Sequence, residues 1–260
     1  MSNRIASTVL FVADSHFHLR PDAAERNRLE RFLEFLKFSR RATDLVLLGD
    51  IFDFWFAYPH FRLDGYEELL LALDAVRAAG TLLHFVGGNH DIWATDYLRR
   101  RYGTTGDGEA VTLGFGTQRV RLDHGDGFLA RGMAYRSFRA LVRRRGAVLF
   151  AKTLHPELLY AFSTWLSGTS RMASRDEVSL IERRARARLV AAGDAPWDLL
   201  VIGHVHHPYV TTHAGRTLAC LAGWLQTEGY GLLRHGSFNL LDFARDPLPD
   251  LPPREIAGDD

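Results

Sequence analysis

Cysteine is almost absent. Cys220 is the only one among 260 residues, so no disulfide can form within the chain, and a reducing compartment is the simple reading. Net charge is nearly absent too: 32 Lys and Arg stand against 31 Asp and Glu, for a formal +1, which excludes a protein that holds polyanions by bulk charge. No apolar run approaches the ~20 residues of a membrane span; the longest, such as residues 8–13, are strand-sized. The stretch from Met1 to Ile5 has no apolar signal-peptide segment. These absences predict a cytoplasmic protein that meets a membrane only at its surface.

What is present is a chain that is 47% apolar, enough for one large core or a core with an inserted cap. Its first part alternates short apolar runs with amphipathic stretches. Residues 9–13, 45–48 and 82–86 read as buried strands. Between them, residues 22–41 carry Leu29, Phe32, Leu33, Phe35 and Leu36 at helical spacing, and residues 64–79 form a second such helix that stops at Gly80. Strand, helix, strand, helix, strand predicts parallel pairing with crossover helices. Residues 111–113 and 119–122 read as a hairpin, and strands resume at 199–202, 208–213, 216–221, 229–233 and 237–243. Residues 128–197 show no strand pattern and read as helices broken near Gly146, Pro156 and Gly168. The expected division is a core of residues 1–127 and 198–246, a helical cap or lid of 128–197, and a flexible tail of 247–260.

Five short segments each follow one of the apolar strands. They are Asp14-Ser15-His16, Gly49-Asp50-Ile51-Phe52-Asp53, Gly87-Gly88-Asn89-His90-Asp91, Asp123-His124-Gly125-Asp126 and Gly203-His204-Val205-His206. Strand ends of a parallel sheet lie side by side, where such folds bind ligands. Any one segment also reads as loop capping by Asp and Asn. Five of them would bring carboxylate, imidazole and amide into one small volume, where carboxylates repel unless cations offset their charge. Mixed Asp, His and Asn donors suit Mn²⁺, Fe²⁺, Co²⁺ or Zn²⁺.

Taken in order, these segments resemble the calcineurin-like metallophosphoesterases, whose signature runs D-x-H, G-D-x-x-D, G-N-H-D, H-G-D and G-H-x-H. The match covers residues 8–53, 82–91, 119–126 and 199–208. The resemblance implies an α/β fold, a βαβ sandwich of two mixed sheets flanked by helices with an inserted helical cap. It implies two divalent metal ions, with Mn²⁺ the first expectation. One would be held by Asp14, His16, Asp50 and His206, the other by Asp50, Asn89, His124 and His204. His90 would be a catalytic residue that steadies charge or protonates the leaving oxygen, with Asp91 orienting it. Asp53 would have a supporting role. His18, His207, Asp123 and Asp126 flank the motifs as possible outer partners or plain loop residues, whereas His60, His84, His155, His213 and His235 lack motif context and read as structural.

The aromatic run Phe52 to Phe56, the Asn89 to Trp93 stretch and Leu154-His155-Pro156-Glu157-Leu158 extend the likeness to the UDP-2,3-diacylglucosamine diphosphatases of lipid A biosynthesis. Here the chain has His90 where the better-known branch has Arg, and His18 where such loops often carry Gly. The implied substrate is a UDP-linked acylated sugar, or another nucleotide diphosphate, contacted by Asn89, His90, Arg171 and Arg175. Residues 131–188 hold thirteen Lys and Arg against four Asp and Glu, which suits a diphosphate and contact with the anionic cytoplasmic face of the inner membrane. No obligate protein partner is implied. Phosphoester hydrolysis of another nucleotide or of nucleic acid stays open, because the metal ligands do not separate these activities.

Overall fold

A computed structural model describes residues 7–55, 64–104, 110–128 and 175–251. The first strand, β1 (Thr8–Val12), is buried at every position, as befits a central strand covered on both faces. It pairs in parallel with β2 (Asp44–Leu47), which pairs in parallel with β3 (Leu82–Phe85). The crossovers are α1 (Ala23–Ser39) and α2 (Glu67–Ala78). At the start of α1 the Asp22 carboxylate accepts the Glu25 N–H at 2.8 Å, a side-chain N-cap. α3 (Thr95–Tyr102) follows β3 and ends on Gly103 in the left-handed conformation. Its apolar content is too slight to reveal it in the sequence: three of its eight residues are arginines, and only Thr95, Leu98 and Tyr102 are buried.

The hairpin β4 (Val111–Phe115) and β5 (Gln118–Asp123) turns at Gly116. After α4 (Arg175–Ala191), β6 (Leu199–Ile202), β7 (Tyr209–His213) and β8 (Arg216–Cys220) complete a sheet of order β4-β5-β6-β8-β7. A short turn of helix, α5 (Trp224–Thr227), leads to β9 (Gly229–Arg234) and β10 (Ser237–Asp242). These last strands join the first sheet, whose order is β10-β9-β1-β2-β3, with β9 antiparallel to β1. Both sheets are therefore mixed, as the α/β sandwich requires.

Side chains alternate between layers with the two-residue period of a strand. Val9, Phe11, Val46 and Leu48 face Val120, Leu122, Val201, Ala219 and Leu221 across the two sheets. Leu10, Val12, Leu45 and Leu47 face outward onto α1 and α2, where Phe32, Phe35, Tyr230, Trp224 and Phe243 also gather. On the far side, Leu200, Ile202, Leu218 and Cys220 are covered by Ile181, Ala185 and Leu189 of α4.

That last contact bears on the predicted cap. Ile181, Ala185 and Leu189 recur every fourth residue, so one stripe of α4 is buried. The described end of segment 128–197 is thus a flanking layer of the second sheet, while residues 129–174 lie outside the described residues. At the tail, Leu251 is fully buried and the Asp250 carbonyl accepts from Arg234 at 2.9 Å, so the fastened chain runs past residue 247; residues 252–260 lie outside the described residues. Of the histidines read as structural, His84 pairs with Asp44 at 2.8 Å, and His60 and His155 lie outside the described residues.

The registers fix where the loops emerge. Val12, Leu47 and Phe85 are in line across β1, β2 and β3. Asp123, Ile202 and Cys220 are in line across β5, β6 and β8. All the predicted motif loops therefore leave the sandwich at one edge of each sheet. Phe35 packs against Phe32, Trp224, Tyr230 and Phe243 with ring centroids 5.0–5.9 Å apart. Phe35→Ala is expected to lower stability by about 3–5 kcal/mol, read as a shifted midpoint in urea unfolding; a midpoint unchanged within error would deny this cluster its place in the core.

Candidate metal centre

The loops at that edge share an unusual backbone. Asp14, His16, Asp50, His204 and His206 all have positive φ, between 46° and 63°. Non-glycine residues enter this region at a cost of about 1–3 kcal/mol each and stay there only where surrounding structure holds them. Here the loops hold one another. Asp14 N–H donates to Gly49 O at 3.0 Å, His16 N–H to Asp50 O at 2.9 Å, Phe17 N–H to Ile51 O at 3.0 Å, and Gly203 N–H to His124 O at 2.9 Å. The Asp14 carboxylate takes the His204 N–H at 2.8 Å, and Asp50 Oδ1 takes the His90 N–H at 2.9 Å. Each left-handed turn aims its side chain inward.

The inward side chains form two neighbouring groups, Asp14 with His16 and His206, and Asp50 with His124 and His204; within each, one candidate ligand atom per residue lies within 4.8 Å of the others. Asp50 Oδ2 joins them, at 3.3 Å from His124 Nε2 and 3.8 Å from His16 Nε2. A third group, His16, Asp50 and His90, meets the same limit, so His90 stands at the margin of the cluster, its ring 4.7 Å from that of His16. Asn89 is exposed at the turn beside it.

Burial and charge act against each other here. Burial raises the pKa of Asp50, but His124, His90 and His16 outweigh it and hold the carboxyl well below its usual range. Burial likewise opposes ionisation of Asp14, and His206 and His124 bring its pKa down. For His90, burial is overcome by Asp50 and Asp53, which push it up to about 9. His204, buried beside His124, falls to about 4. Asp91 is pushed up to about 6 by burial and by Asp50. Such divergent shifts within one pocket mark it as a candidate functional site.

The donor atoms fit divalent cations. Asp14 Oδ1, His16 Nε2 and His124 Nε2 are buried with no hydrogen-bond partner. Buried polar atoms normally find one, and a shared cation supplies it. The opposite ring atom is braced: His124 Nδ1 lies 2.9 Å from Leu48 O, and His90 Nδ1 2.9 Å from Asp53 O. A carbonyl only accepts, so it fixes a proton on Nδ1; at His124 this leaves Nε2 as the atom through which the imidazole would bind metal.

Of the residues predicted to be ligands, Asp14, His16, Asp50, His124, His204 and His206 are brought together. One predicted contact changes. Asp91 was expected to orient His90, but its carboxylate accepts the backbone N–H groups of Asp50, Ile51, Phe52 and Gly88, at 2.8–3.3 Å. Asp53 braces His90 instead, by its carbonyl and, at 3.4 Å, its Oδ1. The physical reason is the turn: it directs Asp91 beneath the β2 loop, where three donors await an acceptor, and Gly88 of its own loop adds a fourth. His18 pairs with Glu25 at 2.9 Å and lies 3.7 Å from Asp53. Arg171 lies outside the described residues, as does the side chain of Arg175, the first residue of α4.

Gly88 is the site residue that sequence reasoning passed over. A Cβ there would stand 2.1 Å from Asp50 Oδ1 and 2.6 Å from Asp50 N. The paired glycines of Gly87-Gly88-Asn89 were the available signal. Gly49 is similar: φ is +83°, and a Cβ would stand 2.5 Å from His124 Nδ1.

The chain is similar to known proteins. The model of the calcineurin-like phosphoesterase family matches residues 7–208. A UDP-2,3-diacylglucosamine hydrolase of Bordetella pertussis is 33% identical over 200 residues, 75% of this chain and 76% of that protein. The protein of that name in Porphyromonas gingivalis is 29% identical over 179 residues, 67% of each chain. In Chromobacterium violaceum it is 29% identical over 240 residues, 89% of this chain and 97% of that protein.

Gly88→Ala is expected to displace Asp50 and abolish stoichiometric uptake of divalent metal while leaving the far-ultraviolet circular dichroism unchanged. Gly114→Ala, where nothing lies within 4 Å of the added carbon, serves as control. Equal metal content in both variants, measured by plasma mass spectrometry, would contradict the role given to Gly88.

Proposed function

The chain belongs to the calcineurin-like phosphoesterase family, and from that premise we propose that it hydrolyses the diphosphate bond of UDP-2,3-diacylglucosamine. Water adds at phosphorus, the bridging P–O bond breaks, and UMP and 2,3-diacylglucosamine 1-phosphate are released. The observation that carries this reading is the pair of Asp and His groups joined through Asp50. It occurs in a chain whose similar relatives carry that enzyme's name over as much as 91% of its length.

Asp14, His16, Asp50 and His206 would hold one divalent ion; Asp50, Asn89, His124 and His204 would hold the other. Two such ions, Mn²⁺ by the family resemblance, with Fe²⁺, Co²⁺ and Zn²⁺ equally suited to the mixed donor set, would supply Lewis acidity and a more acidic water for in-line attack. The chain does the rest. Asp14 and Asp50 set the negative charge that makes the pocket selective for cations over other ligands. Leu48 O and Asp53 O each hold a proton on Nδ1, of His124 and His90 respectively. His90, at the margin of the cluster, carries a second proton on Nε2, because Asp50 and Asp53 hold its pKa up to about 9, and that N–H is the proton donor to the departing oxygen. Asp91 contributes indirectly, by gathering the N–H groups of the β2 loop and so fixing where Asp50 stands.

The basic excess of residues 131–188, thirteen Lys and Arg against four Asp and Glu, supports a cap that takes the nucleotide diphosphate and rests on the anionic cytoplasmic face of the inner membrane. Arg171 and Arg175 are the arginines we assign to phosphate contact. Among the described residues no helix is long and apolar enough to cross a membrane.

With Mn²⁺ present, release of UMP from UDP-2,3-diacylglucosamine is expected to exceed by at least tenfold the hydrolysis of UDP-glucose, other nucleotide diphosphates or single-stranded DNA. Faster turnover of a non-acylated nucleotide or of the DNA would move the assignment to a different phosphoesterase. His90→Ala is expected to lower kcat about 10²–10⁴-fold with both ions retained; loss of one ion from that variant would make His90 a ligand instead.

A further inference from the structure

The braces behind the imidazoles of the site are not chemically alike. Those of His124 and His90 are backbone carbonyls, which can only accept. Behind His206 stands the side-chain amide of Gln226, 2.6 Å from Nδ1. An amide can donate through its nitrogen or accept through its oxygen, so it can support either tautomer of the ring. On its other side, His206 Nε2 lies 3.3 Å from Asp14 Oδ1.

The two amide orientations have different consequences. With the nitrogen against Nδ1, the ring proton sits on Nε2, and Gln226 Oε1 is left buried with no hydrogen-bond partner. A half-turn about the Cγ–Cδ bond puts Oε1 against an Nδ1–H. Oε1 then accepts from Nδ1–H, the amide N–H groups take its former place, and the Nε2 lone pair faces the group formed with Asp14 and His16. Only the second arrangement makes His206 a metal ligand.

The surroundings are built for this contact. Gln226 sits on α5, whose Trp224 N–H donates to Ala13 O at 3.1 Å and whose Leu225 N–H donates to Asp14 O at 3.0 Å. The turn that carries Gln226 is thus bonded to the loop that carries Asp14, and Trp224, 1% exposed, pins it into the aromatic core. Gly223 leaves room for the amide: a Cβ there would come within 2.3 Å of Gln226 Oε1, 3.2 Å of His206 Cγ and 3.3 Å of Asp14 Cβ.

We propose that Gln226 is a positioning residue that selects the metal-binding tautomer of His206 by presenting its side-chain oxygen to Nδ1–H. This rests on the metal-centre reading above, and the test separates the two. Zn²⁺ binding to the full chain is measured by calorimetry for the wild type, Gln226→Glu and Gln226→Leu, alongside ¹⁵N spectra of the histidine rings. Gln226→Leu is expected to weaken one of two zinc sites 10–100-fold and to lose the Nδ1–H signature of His206. Gln226→Glu, which can only accept at that position, should keep or tighten both sites and keep the signature, which a merely space-filling role would not require. If Gln226→Leu binds two zinc ions with wild-type affinity, or if the Glu variant weakens as much as the Leu variant, the proposal is overturned while the centre stands. If the wild type takes up no zinc, the centre and the proposal fall together. Should the Leu variant not fold, the Glu variant alone decides: retained affinity with the Nδ1–H signature supports the role, and its loss refutes it.

Discussion

Asp14 and Asp50 are almost wholly removed from water, 0% and 1% exposed, and each bears on the ionisation of the same histidines. A buried carboxylate without compensation is among the most costly groups a protein interior can hold. Two in one pocket would drive each other to take up protons, were it not for His16, His124 and His206 at 3.3–3.8 Å. Those imidazoles reduce the cost without removing it, since several facing atoms keep no hydrogen bond. The surplus is what cations would neutralise. Fold, loop strain and ligand choice can all be traced to the need to hold these two carboxylates in place.

Holding them requires rigidity on both sides. The β1, β2 and β3 ends are level in one sheet, the β5, β6 and β8 ends level in the other. Side chains from residues 14 and 206, nearly two hundred positions apart in sequence, thereby meet across the seam. The left-handed turns are the local expense of pointing them inward, and the hydrogen bonds between loops offset it. Asp91 shows how far this goes: a carboxylate within the G-N-H-D motif is spent on four backbone donors, so that its neighbour loop cannot drift.

Much of this was legible in the residues. The apolar runs gave strands within a residue or two, because a central strand buried on both faces leaves an unbroken apolar signature. Six of the seven residues that the family resemblance implies as ligands, Asp14, His16, Asp50, His124, His204 and His206, lie together in the fold. What stayed hidden depended on geometry that no single stretch encodes. The three arginines of α3 masked a helix whose buried face is just a few residues. Adjacency in sequence linked Asp91 to His90, although consecutive residues on a tight turn point apart. Gly88 matters for an atom it does not have. Gln226 lies twenty positions from His206 on another element, and nothing in its local sequence announces an imidazole beside it. The end of the predicted cap, in α4, carried both an arginine-rich surface and an apolar stripe, and the stripe decided its place.

The first sheet has a consequence for how the molecule is made. β1, near the start of the chain, pairs with β9, with Thr8 opposite Arg234. A ribosome must therefore release more than two hundred residues before the central strand acquires its second neighbour. Contacts this distant in sequence close slowly. Until then, an apolar strand with one open edge is exposed to other chains. Assembly of the N-terminal three-strand unit can run ahead, but the turn bearing Trp224 and Gln226 is synthesised late, so the pocket cannot be complete until that turn has been made.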